Sequence, residues 1–172
     1  MRLLQKIAII GPNRSGCSKE LYRFGTDLGK EIASPGRIII CGGLGGFMEA
    51  VSKGVKESVH TFNGQTIGIL PGDDPQDANP YIDIAIPTGL GIARNIIIIN
   101  SADLIIAAGG GAGTLSELAF AWQKKKKVLC ITDFGGWAKE LAGKRVDERD
   151  DGLFLPVKNI KEILKLIKTP LK

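Results

Sequence analysis

Between Asp103 and Trp122 an apolar run gives way to glycines at Gly109, Gly110, Gly111 and Gly113, and then to a helical repeat. Asp103–Ala107 reads as a buried strand. Leu115, Leu118, Ala119 and Trp122 recur at the i, i+3, i+4, i+7 spacing of one helix face. A strand, a glycine turn and a helix N-terminus in that order present backbone N–H groups and the positive end of a helix dipole to an anion. Glycine suits the turn because a Cβ would block close approach and disfavour positive φ. So dense a glycine cluster exceeds what a tight turn needs, and a phosphate is the natural guest. Gly109, Gly110, Gly111, Gly113 and Thr114 are therefore candidate ligand-binding residues. Glu117 admits two readings. Thr114-x-x-Glu117 has the spacing of a capping box, and the same carboxylate could stand at the mouth of a phosphate site.

The arrangement repeats along the chain. Lys6–Ile10 reads as the first buried strand, and Gly11–Ser18 as a polar loop leading into a helix over Ser18–Ala33 marked by Leu21, Phe24, Leu28 and Ile32. That loop is no nucleotide-triphosphatase phosphate loop, because Cys17 stands where the lysine must be. Gly11, Arg14 and Ser15 could touch a phosphate, or the segment could be a solvated loop. Arg37–Cys41 reads as the second strand. Gly42, Gly43 and Gly45 form a second glycine turn before a helix from Phe47 to about Ser58. The spacing is not G-x-G-x-x-G, since Met48 occupies the third glycine position, so a dinucleotide fingerprint is not met.

Thr66–Leu70 reads as the third strand and Ile82–Ile86 as a short strand of open placement. Ile92–Ser101 reads as a helix buried on more than one side, its isoleucines suggesting a subunit interface as well as core. Arg94 opens it, and a cation there needs a partner, either a carboxylate such as Glu117 or a ligand phosphate. Val128–Thr132, the short helix Trp137–Leu141, the charge-rich loop Gly143–Gly152, the strand Leu153–Val157, a helix marked by Ile160, Ile163, Leu164 and Ile167, and a frayed Thr169–Lys172 tail complete the chain. Strands alternating with helices imply βαβ units. The expected architecture is α/β: one domain over residues 1–172, three-layered and doubly wound on a mainly parallel sheet. Its strand order is 3-2-1 followed by the second half. The loops after the strands then converge on one edge as a binding crevice.

Composition removes several function classes. Aromatics make up 6% of the chain without basic interleaving, which disfavours a single-strand nucleic-acid platform. A formal net charge of +5 suits acidic small molecules, and Lys124–Lys127 reads as a solvent-facing helix C-terminus rather than a nucleic-acid patch. Cys17, Cys41 and Cys130 are scattered, as expected of reduced thiols in a cytoplasmic protein, and Cys41 and Cys130 read as buried small hydrophobes. With His60 as the one histidine, no zinc cluster is expected, and Asp73, Asp74 and Asp77 lack calcium-loop spacing. Met1–Ile10 is too short for a signal segment and Ile96–Ile99 for a membrane span.

The residues Gly110–Glu117 (GGAGTLSE) resemble the P-G-G-x-G-T-x-x-E motif of the LOG-type Rossmann proteins, which include cytokinin-activating phosphoribohydrolases and have carried the label "possible lysine decarboxylase". CGGLGGFMEA, Gly68–Gly72, and Ala93-Arg94-Asn95 before Ser101-Ala102-Asp103 are similar to a branch of that superfamily, the molybdenum cofactor carrier proteins and their bacterial relatives. The likeness spans about Lys6 to Leu166. It implies a Rossmann-like fold and a homo-oligomer, dimer or tetramer. It also implies a cytoplasmic protein that binds a phosphate-bearing nucleotide-like or pterin ligand, the molybdenum cofactor or a nucleotide being bound as ligand and no cofactor required. The hydrolase side implies the alternative: a nucleoside 5′-monophosphate phosphoribohydrolase in which Arg94 and Glu117 are catalytic. Gly109 stands where the motif has proline and Asn95 where the hydrolases have lysine, which favours binding over turnover, and Asn95 joins the ligand-binding set. Nothing marks a pyridoxal phosphate lysine, so decarboxylation is not expected.

Overall fold

A computed structural model describes residues 4–148 and 154–168. The expected strands and helices form, with small shifts at their ends. β1 (Gln5–Ile10), β2 (Arg37–Cys41), β3 (Thr66–Leu70), β4 (Ile84–Pro87), β5 (Leu104–Ala108), β6 (Val128–Ile131) and β7 (Phe154–Val157) make one seven-stranded sheet. Its order is β4-β3-β2-β1-β5-β6-β7 and every pairing is parallel. The strand whose place the sequence left open is β4, at the sheet edge beside β3.

Unbroken apolar runs suit these strands because both faces of the sheet are covered. Ile7 and Ile9 of β1, with Ile39 and Cys41 of β2, face a layer made by α1 (Lys19–Ile32), α2 (Phe47–Glu57) and α6 (Ile160–Lys168). The alternate residues Ala8, Ile10 and Ile40 face α3 (Asn95–Ser101), α4 (Ala112–Gln123) and α5 (Gly136–Leu141). This is the three-layer, doubly wound α/β fold. α1 and α2 meet at glycines: a Cβ on Gly29 would strike the Val51 carbonyl, and one on Gly54 the Thr26 carbonyl.

Two segments depart from expectation. Ile92–Ser101 is not one helix but a 3-10 turn, Gly91–Arg94, followed by the seven-residue α3, in which Ile98 and Ile99 are buried. The lysine run is not wholly solvated: the Lys126 ammonium donates to the Ala102 carbonyl at 2.6 Å. The Thr169–Lys172 tail and the end of the Gly143–Gly152 loop lie outside the described residues.

β1 pairs with both β2 and β5. The chain leaves β1 towards β4 on one side, then returns to build β5, β6 and β7 on the other. Connections diverge in opposite directions at that pair, and a crevice opens beyond the carboxyl ends of β1 and β5.

Candidate functional site

The crevice has a volume of about 400 Å³. One wall is the first turn of α4, from Gly111 through Thr114, together with Glu117 from the next turn. The opposite wall is the loop after β1, including Gly11, Pro12 and Asn13. Ile9, Ile10, Leu44 and Met48 supply apolar surface, while Gly42, Arg94 and Asn95 complete the lining.

The α4 wall removes the capping reading of Glu117. The helix begins at Ala112 with Gly111 as its N-cap, and no side chain caps it. Thr114 is thus already inside the helix, and the Thr-x-x-Glu spacing is not a capping box here. The glycines and Ala112 have no side chain able to satisfy the first N–H groups, so the dipole end stays available to an anion. Gly110, at φ +90°, fits tightly beneath Thr114, whose side-chain atoms would meet any Cβ. Gly109 and Gly110 serve the wall from behind: their carbonyls accept from the N–H groups of Ala138 at 3.0 Å and Trp137 at 3.1 Å.

Freed from capping, Glu117 turns to Arg94. The Arg94 Nη1 to Glu117 Oε1 distance is 3.8 Å, and the two residues are only 8% and 7% exposed. Burial pushes the Glu117 carboxyl up to about 7, with the neighbouring guanidinium opposing the rise. Burial lowers the Arg94 pKa, against the pull of Glu117 and Cys41. Among the described residues the Arg94 Nε is buried without a hydrogen-bond partner. The guanidinium lies against the backbone of Gly42, where a Cβ would come within 2.5 Å of Nη2 and 2.7 Å of Nη1. Glycine is required there to admit the arginine rather than to make a turn. Asn95 fixes the neighbouring backbone, its side-chain amide donating to Ser116 Oγ at 2.8 Å and to the Gly113 carbonyl at 3.3 Å. The first turn of α4 and the start of α3 are thereby tied together.

Of the residues singled out in the sequence, Gly11, Gly42, Arg94, Asn95, Gly111, Gly113, Thr114 and Glu117 line this crevice. Gly43, Gly45, Gly109, Gly110, Arg14 and Ser15 are not among its lining. Arg14 pairs instead with Glu49 at 3.3 Å, with its side chain 82% exposed, and Gly45 packs beside both. The Ser15 hydroxyl donates to Asn13 Oδ1 at 2.8 Å. Leu44 and Met48 were not foreseen as crevice residues. The departure of Met48 from the dinucleotide fingerprint was the signal, since a long apolar side chain there replaces the space a glycine would leave. The described residues contain no His, Cys, Asp and Glu group able to hold a metal ion. Cys41 and Cys130 are fully buried thiols, as read from the sequence, and burial raises both pKa values, Cys130 to about 12.

Comparison with known proteins places this geometry. The SLOG cluster4 family model matches residues 4–164. An uncharacterized protein of Archaeoglobus fulgidus is 43% identical over 131 residues, which are 76% of this chain and 82% of that one. The molybdenum cofactor binding protein of the phototrophic bacterium Rippkaea orientalis superimposes with a TM-score of 0.83 at 33% identity, covering 98% of each chain. The molybdenum cofactor carrier protein of Chlamydomonas reinhardtii does so with a TM-score of 0.79 at 31% identity, covering 95% of this chain and 96% of that one. With the uncapped glycine turn, the doubly wound sheet and these matches together, the chain belongs to the SLOG cluster4 family, on the branch similar to the molybdenum cofactor carriers.

Proposed function

We propose that this protein binds a phosphate-bearing, nucleotide-like or pterin ligand in the β1–β5 crevice and does not turn it over. The observation that carries this reading is the uncapped N-terminus of α4 facing a crevice that also holds the buried Arg94, with its Nε unpartnered. Orphan N–H groups and a guanidinium together offer a phosphate both dipole and charge. Ile9, Ile10, Leu44 and Met48 offer a flat ring an apolar bed, and about 400 Å³ lies within the ordinary range for a small-molecule site. The molybdenum cofactor, a phosphorylated pterin, is ligand or cargo in this reading. The names of the Rippkaea and Chlamydomonas proteins, one a molybdenum cofactor binding protein and the other a carrier, support it. Among the described residues no helix is long and apolar enough to cross a membrane. The thiols of Cys17, Cys41 and Cys130 are free, as suits a reducing compartment.

One observation favours a second reading. A carboxyl held near neutrality beside an arginine in a crevice is what an N-glycosidic hydrolase would use at its sugar. The deciding experiment incubates the protein with nucleoside 5′-monophosphates and a phosphorylated pterin. It follows the melting temperature and looks for released base by chromatography, with Glu117→Gln in parallel. A rise in melting temperature without free base is expected. Free base from the natural protein, lost in the variant, would establish a phosphoribohydrolase. No stabilisation by any ligand at millimolar concentration would overturn the binding reading.

A further inference from the structure

Glu117 and Arg94 are neighbours in the wall of a crevice that also holds the anion-seeking N-terminus of α4. An anion placed there competes with the Glu117 carboxylate for the same guanidinium. Arg94 cannot back away to serve both at leisure, because the Gly42 backbone packs against Nη1 and Nη2. The elements around Glu117 bring one cation to it. Arg94 comes from the turn before α3, and the Cys41 thiol comes from the end of β2, kept protonated by burial. β1 and α2 contribute Ile9, Ile10 and Met48, which carry no charge. Within the described residues no second cation offsets Glu117. A buried carboxylate that loses its cation, or gains a second anion beside it, takes up a proton rather than stay ionised.

We propose that the crevice takes its anion together with one proton, Glu117 meeting the bound anion as a neutral acid that can donate a hydrogen bond to it. The inference rests on the ligand reading above and adds the charge state in which that ligand is held. The proton comes from solvent and goes to a Glu117 carboxylate oxygen, and no covalent bond to the ligand forms or breaks.

The consequence has a definite pH profile. With the free carboxyl at about 7, about 0.9 of a proton should be taken up per anion at pH 8 and about 0.1 at pH 6. Affinity should weaken about tenfold for each pH unit above 7. Inorganic sulfate is a suitable probe because it does not titrate in this range, and adenosine 5′-monophosphate is a second. Calorimetric titration at pH 8 in two buffers of different ionisation enthalpy counts the protons, and Glu117→Gln provides the comparison. The count with sulfate should be near one in the natural protein and near zero in the variant. With the monophosphate, whose own titration cancels, the two proteins should differ by the same amount. The variant's affinity for sulfate should be nearly flat between pH 6.5 and 8.5. Binding with no proton uptake by the natural protein overturns this inference and leaves the ligand reading standing. Equal uptake by protein and variant also overturns it, since the proton then goes elsewhere. Binding of neither probe overturns this inference, and the ligand reading falls with it only if the phosphorylated pterin also fails to stabilise the protein.

Discussion

Glu117→Gln should stabilise the protein above neutral pH and do little near pH 5. An unfolded Glu117 ionises near its ordinary 4.5, whereas the folded one holds its proton to about 7. Between those values folding takes up a proton, so the glutamate form loses stability as pH rises through that window. Above the window both states are ionised and the loss is complete. At about 1.4 kcal/mol per pH unit, the window is worth about 3 kcal/mol, the deficit of the natural protein at pH 8 relative to pH 4.5. Glutamine keeps the shape of the protonated acid and cannot ionise. The two proteins should therefore have similar stability near pH 5 and diverge to about 3 kcal/mol by pH 8, the variant being the more stable. Urea unfolding followed by the fluorescence of Trp122, which is buried, at pH 5, 6, 7 and 8 reads this directly. A stability difference that does not change across that range would refute the claim that burial holds Glu117 near neutrality. The natural protein keeping a destabilising acid fits a site built for binding rather than for stability.

Three further variants test other parts of the structure. Gly42→Ala sets a methyl group against the buried Arg94 guanidinium, so ligand affinity should fall at least about tenfold and the melting temperature should fall with it, as calorimetry and thermal unfolding would show. Gly54→Ala drives α2 into the Thr26 carbonyl of α1 and should cost about 3 kcal/mol in urea unfolding; a loss under about 1 kcal/mol would mean the helices separate easily. Ile84 and Ile86 of the edge strand β4, with Leu90 and Ile92 just beyond it, are 42–68% exposed, an apolar surface that suits self-association. Light scattering should give a dimer or tetramer, reduced to a single chain by Ile86→Glu with Ile92→Glu, and a natural protein that already runs as a single chain would refute this.

The sequence revealed backbone requirements well and side-chain directions poorly. Arg37–Cys41 and Thr66–Leu70 form strands with the bounds read from their isoleucine runs, because a β-branched segment closed by glycine or proline has few alternatives. The order 3-2-1 followed by the second half was read from the alternation of strands with helices and right-handed crossovers, whereas the edge position of β4 was not. The start of α4 was misread by three residues. Ala112 and Gly113 look like turn in a linear reading, yet they form the first helical turn, and that displacement is what turns Glu117 from cap to crevice wall. Arg14 and Ser15 occupy a loop beside the crevice, and only three-dimensional packing shows that Glu49 and Asn13 draw them to other contacts. The glycine at Gly42 was legible as a glycine, but the side chain it makes room for lies far along the chain at Arg94.

The parallel pairing of β1 with β5 has a mechanical meaning. It is the seam where the half of the sheet built before Arg94 meets the half built after it, joined by the register from Ile7 and Leu104 to Ile10 and Ala107. The crevice straddles that seam, with the loop after β1 on one side and the first turn of α4 on the other. A small molecule held there acts as a rivet across the two halves. Its binding energy is spent against the opening motion that would part them, and amide exchange along β1 and β5 should slow before that of the outer strands.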